Sequence, residues 1–135
     1  MYKAPSRTVL STSVLDAEDA RVALVEMKSL KEQKFLTLLV DGWEDAAGRS
    51  LYGTIVAEVR KHPVVLGLSD LTGKRATADA IVNACLENCQ KMGINAHQLS
   101  AMCTDNPTTM ILARRKWEDK YPWIIVCIKL LSLFI

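Results

Sequence analysis

The chain has 135 residues, half of them apolar, which is enough for one domain with a core of its own. Seventeen basic and fifteen acidic residues leave a formal charge of +2 with the signs interspersed, so no basic field announces nucleic-acid binding by charge alone. Cys85, Cys89, Cys103 and Cys127 sit in or beside apolar runs with no secretory leader ahead of them, which predicts a reduced intracellular setting rather than a disulfide scaffold.

Residues 1–12 are polar and irregular, with Pro5 and Ser11-Thr12-Ser13 offering turns, and read as a disordered arm. Ser13 with Asp16 resembles a capping box, and Val14, Ala17, Val22, Val25, Met27 and Leu30 then recur at helical spacing, predicting a leading helix over 13–34. The apolar run 35–40 reads as a buried strand stopped by Asp41-Gly42. The β-rich run 50–59, a turn through Arg60-Lys61-His62-Pro63, and the returning run 64–68 complete an antiparallel meander of three strands.

The period then switches. Ile81, Cys85, Cys89 and Met92 lie about a turn apart, Thr77 can cap the start, and Gly93 supplies a left-handed exit. Cys85 and Cys89 are spaced for one face of that helix, which favours burial over a zinc knuckle. A fourth strand is expected over 97–104. Pro107 opens a helix reaching about Lys120, and Tyr121-Pro122 breaks it. Residues 123–135 are the most hydrophobic part, yet they include Lys129 and fall short of the roughly 20 apolar residues that span a bilayer. They read as a strand running into an apolar tail from residue 127, prone to self-association and not to membrane insertion. The order predicts an α/β fold, a mixed sheet of meander plus parallel strands with helices packed on it.

Asp41 and Asp105 each follow an apolar strand and precede a turn. On neighbouring strands they would converge at one end of the sheet, where two carboxylates can hold Mg²⁺ or Mn²⁺. Capping of loops is the alternative, and with it no cofactor at all. Asp45 and Glu44 could join Asp41 in a cluster of carboxylates or simply line a solvated turn. Arg114, Arg115 and Lys116 form a compact basic cluster able to touch a nucleic-acid backbone, or a helix face paired with Glu118 and Asp119. Gly67 and Gly73 before Lys74 fail as a phosphate-binding loop, since five residues separate them and Arg75 stands where a hydroxyl should hold the metal. Neither His62 nor His97 has the neighbours of a catalytic triad.

The run Leu38-Leu39-Val40-Asp41-Gly42-Trp43-Glu44-Asp45 with Arg49-Ser50-Leu51-Tyr52-Gly53, then Cys103-Thr104-Asp105-Asn106-Pro107 with Arg115-Lys116-Trp117, then Lys120-Tyr121-Pro122-Trp123, resembles the domain of unknown function found in hAT-type transposases and their host-gene relatives. The resemblance covers residues 35–126. It implies a partial ribonuclease-H-like fold with Asp41 and Asp105 as the first two catalytic, metal-binding acids, DNA as partner and the nucleus as location, the cytoplasm being the alternative without it. In the family a third acid lies far downstream, beyond a helical insertion, and a cysteine is followed three residues later by histidine. Here Leu130 stands three residues after Cys127. The expectation is therefore a truncated, catalytically inactive fragment, with an interaction module retaining the fold as the first alternative and a metal-dependent nuclease as the second.

Overall fold

Alternation along the apolar runs puts every second side chain on one face, and the computed structural model, which describes residues 4–74 and 76–128, shows what that face meets. Strands β1 (Leu36–Glu44), β2 (Ser50–Ala57) and β3 (Val64–Asp70) pair antiparallel, while β4 (Leu99–Thr104) and β5 (Ile125–Ile128) add on the other side in parallel. The five-stranded sheet has the order β3-β2-β1-β4-β5, so the class is α/β with a mixed sheet, as expected.

Leu36, Leu38 and Val40 of β1, Val56 of β2, Leu66 of β3 and Met102 of β4 are buried on one face. The helices α3 (Ala78–Lys91) and α4 (Thr108–Lys120) lie on the sheet and against each other, supplying Ile81, Cys85, Cys89, Met110, Ala113 and Trp117 to the same core. The start of α3 is as expected, Thr77 Oγ1 accepting the Ala80 N–H at 3.2 Å. It ends in the left-handed Gly93 (φ +70°), after which the Ile94 N–H returns to the Cys89 carbonyl at 2.9 Å.

Four expectations need correction. The leading helix starts earlier: Arg7–Val9 (α1), a π-helical stretch Leu10–Val14 and α2 (Leu15–Glu32) follow one another, so residues 7–12 are helical and no arm spans 1–12. The hydroxyls of Ser11, Thr12 and Ser13 donate back to the carbonyls of Thr8, Thr8 and Val9 at 3.2, 2.8 and 3.3 Å, so they join the helix instead of capping a new one at Ser13.

The second correction concerns β1, which passes through Asp41-Gly42 to Glu44. Gly42 is no stop. It faces Tyr52, whose Cε1 lies 2.5 Å from where a Cβ would be, so the glycine admits the ring across the hairpin. Third, residues 96–98 form a 3₁₀ turn and β4 begins only at Leu99. Asn95 Oδ1 accepts the His97 N–H at 3.1 Å while Gln98 Oε1 accepts the Asn95 N–H at 2.8 Å, a local capping arrangement that outcompetes strand pairing. Fourth, β5 takes in Cys127 and Ile128, the first two residues of the expected tail. Residues 129–135, and with them the expected self-association of the tail, lie outside the described residues.

Candidate functional site

Because β1 and β4 run parallel with Val40 opposite Thr104, Asp41 and Asp105 are the next residues along each strand. The ladder ends at Val40 and Thr104, about one strand spacing or roughly 4.8 Å apart, and each acid follows one of these last partners. Asp41 is exposed and Asp105 half-buried just beyond the end of β4. The helical crossover from β3 through α3 to β4 makes this adjacency possible, since a parallel neighbour must re-enter the sheet from the same end.

Three further groups belong to this corner, and the chain alone pointed to none of them in that role. The Tyr52 ring sits over Gly42, and its phenol is pushed above its ordinary range, first by burial and then by the negative charge of Asp105. Arg114, 6% exposed, turns inward from α4. Its Nη1 donates to Thr104 Oγ1 at 2.6 Å and to the Asp105 carbonyl at 2.7 Å, and Nη2 donates to Asn106 Oδ1 at 3.1 Å. Glycine beside Asp41 and asparagine beside Asp105 were the available signals for Tyr52 and Asn106. Nothing separated Arg114 from its basic neighbours, because the facing of one turn of helix depends on what the helix packs against.

The basic cluster is thus divided. Arg114 is buried, Arg115 is exposed, and Lys116 pairs with Asp79 of α3 at 2.8 Å rather than with Glu118 or Asp119. Asp45 lies at the hairpin tip, four strand positions or roughly 13 Å beyond Asp41. Its Oδ1 accepts the N–H groups of Ala47 and Arg49 at 2.9 Å, and Oδ2 pairs with the Arg49 guanidinium at 2.6 Å. These bonds, the Arg49 backbone N–H first, hold its carboxyl below the usual range. Asp45 is committed to its own turn.

The remaining candidates have structural employment. Cys85 and Cys89 are buried on the inner side of α3, and burial pushes their thiols up to about 12 and about 11. The His97 ring stacks on Trp123, with centroids 4.9 Å apart and planes 14° from parallel. Gly67 is a mid-strand residue of β3, and a Cβ there would come 2.7 Å from Asn88 Oδ1. Among the described residues no helix is long and apolar enough to cross a membrane.

Asp41 offers a carboxylate open to water, of the kind a hydrated Mg²⁺ or Mn²⁺ takes, whereas Asp105 is half-buried with its Oδ1 out of reach of water. Among the described residues no group of three His, Cys, Asp or Glu side chains stands close enough to enclose a metal ion. Asp41 and Asp105 would hold such an ion, and Tyr52 and Arg114 border the place without supplying anionic ligands. No family model matches this chain, and no curated protein matches it either.

Proposed function

We propose that this chain is a ribonuclease-H-like domain of the hAT transposase type in which Asp41 and Asp105 form a reduced, two-carboxylate cation site that does not cut DNA. The observation that carries the reading is the parallel register of β1 and β4, which brings together two acids from motifs about 60 residues apart. An antiparallel meander followed by a crossover into a parallel strand supports the same reading.

A bound Mg²⁺ or Mn²⁺ would supply charge neutralisation at a phosphodiester. The protein's own part is to hold two oxygens at one strand spacing, with the exposed Arg115 as the remaining basic contribution to a DNA backbone from its cluster. The described residues group no third acid beside these two, and two carboxylates alone bind such an ion loosely, with a dissociation constant on the order of 10⁻⁴–10⁻³ M, and leave the attacking oxygen unplaced. A nuclear, DNA-associated setting belongs to the same reading.

Calorimetric titration with Mn²⁺ and a nicking assay on supercoiled plasmid test it. The expected result is weak binding lost in both Asp41→Asn and Asp105→Asn, with no nicking above background. Nicking that needs Mn²⁺ and vanishes in both variants would restore the nuclease alternative. Absence of any binding that depends on these two residues would remove the cation site.

A second reading, an interaction module that keeps the fold, is favoured by the uncovered sheet face, where Val65, Leu68 and Ile125 are 67%, 58% and 71% exposed. A concentration-dependent mass in light scattering, abolished by Val65→Lys, would favour it over the first.

A further inference from the structure

Among the described residues β5 is a short edge strand, and along it every second side chain turns away from the core. Val126 packs against the core, so Cys127 lies on the opposite face, where it is exposed. On β4 the buried Met102 and Thr104 flank Cys103 in the same way, which puts it, half-buried, on that same uncovered face. The parallel ladder pairs Cys103 directly with Cys127. Strand spacing sets their Cα atoms roughly 4.8 Å apart, inside the window of about 4.4–6.8 Å that a disulfide spans. The Cys127 Sγ leans toward β4, donating to the Met102 carbonyl at 3.4 Å. Across the ladder on its other side Cys103 faces Leu39 of β1, so Cys127 is the sulfur beside it.

We infer that Cys103 and Cys127 are a reversible modification site, a dithiol that closes to a disulfide fastening β5 to β4 when it meets a low-molecular-weight disulfide of the glutathione class. The exposed Cys127, as its thiolate, attacks one sulfur of that reagent. A mixed disulfide forms, the reagent's own S–S bond breaks, and one glutathione leaves as a thiolate that takes up the proton Cys127 gave up. Cys103, as its thiolate, then attacks Cys127 Sγ, the mixed disulfide breaks, and the second glutathione leaves with the other proton. Two protein thiols are oxidised, and one glutathione disulfide is reduced to two thiols. A bridge between neighbouring strands, near the short end of the Cα range, is of the strained kind that excess thiol reopens. Cys85 and Cys89 take no part, since both are buried and burial pushes their thiols up to about 12 and about 11. The pair is independent of whether Asp41 and Asp105 take an ion.

The test treats the whole reduced chain with oxidised glutathione under native conditions, blocks the remaining thiols, and maps the tryptic peptides by mass. Cleavage leaves Cys103 in 92–114 and Cys127 in 121–129, with Cys85 and Cys89 together in 76–91, so each pairing has its own mass. The expected product is a monomer in which 92–114 and 121–129 are joined, lighter than the dithiol by two hydrogens. Because the second step is intramolecular, the bridge should outweigh glutathione adducts by roughly tenfold or more. Its closure around α4 should raise the thermal midpoint by roughly 5 °C, a shift that excess reduced glutathione reverses. Cys103→Ser should instead hold glutathione at Cys127 as a stable adduct and show no such rise.

Peptide mapping needs no variant, so it decides the matter even if Cys103→Ser fails to fold. Glutathione accumulating on Cys127 of the unaltered chain without closure would overturn the inference, by showing that the two sulfurs do not meet. A Cys127 bridge between two chains would overturn it as well, and so would a chain whose thiols all stay unmodified. Joins that include the 76–91 peptide would overturn it by a different route, because the buried Cys85 and Cys89 react only when the chain unfolds. A bridge that persists in excess reduced glutathione would overturn its reversibility.

Discussion

Helices α2 and α3 invite comparison because both are long and well formed, yet they are held in opposite ways. The 14 residues of α3 bury seven, whereas the 18 of α2 bury only Leu30. Val22, Leu24 and Val25 of α2 remain exposed. Its attachment is confined to one end, where Leu30 enters the core and Gln98 Nε2 donates to the carbonyls of Leu30 and Gln33 at 2.7 and 2.8 Å. Helical spacing of apolar residues thus predicts a helix in both places, but only the neighbour decides whether the spacing becomes a core.

The sharpest way to break this comparison is to truncate equivalent apolar side chains. Ile81→Ala in α3 removes a fully buried group and should cost about 2–5 kcal/mol in denaturant unfolding. A cost under about 1 kcal/mol would mean that α3 is not seated on the sheet as described. Next in size is Asn88, whose Nδ2 donates to Thr54 Oγ1 and Ser69 Oγ, both at 3.1 Å. Asn88→Ala takes the amide donor from the buried Thr54 hydroxyl and the half-buried Ser69 hydroxyl and should cost about 1–3 kcal/mol, whereas Glu87→Ala on the exposed side of the same helix should be close to neutral.

Alkali probes the same burial through Cys85. Its thiol has an ordinary value of 9.0 and is pushed up to about 12 by burial, so the folded state retains the proton where the unfolded chain has lost it. The resulting contribution is present in full below about pH 9 and is lost as the pH rises from there toward about 12. Between pH 8 and 10.5 the native chain should therefore lose about 1–2 kcal/mol that Cys85→Ala does not. Parallel pH profiles for the two proteins would contradict the burial of that thiol.

The smallest effect is expected in α2. Leu24→Ala should change stability by less than about 0.5 kcal/mol, as at other exposed positions. A loss above about 1.5 kcal/mol would sharpen the comparison in another direction, because it would show that the outer side of α2 is covered in solution.

Much of this architecture was legible before any coordinates. Thr77, Gly93 and Pro107 mark helix ends through their own local chemistry, and the short turn 60–63 makes the β-rich runs on either side of it antiparallel neighbours. Other features were illegible for a shared reason. Gly42 read as a strand stop and Gly67 as half of a discarded phosphate loop, whereas each is a glycine because a side chain from elsewhere, Tyr52 or Asn88, occupies the space of a Cβ. The run Ser11-Thr12-Ser13 carries hydroxyls that can cap a helix or join one, and local spacing does not choose between these.

The candidate site shows the same division. Local sequence placed Asp105 just past the end of an apolar strand, because strand propensity and turn chemistry act over a few residues, but it also ended the strand of Asp41 at Gly42, whereas β1 continues to Glu44. That the two strands are parallel neighbours in register, that Asp45 is spent on Arg49, and that Arg114 faces inward while Arg115 faces water were decided by tertiary structure. Those outcomes depend on which surfaces meet after α3 carries the chain back across the sheet, and contacts between residues dozens of positions apart leave no periodic trace in the chain itself.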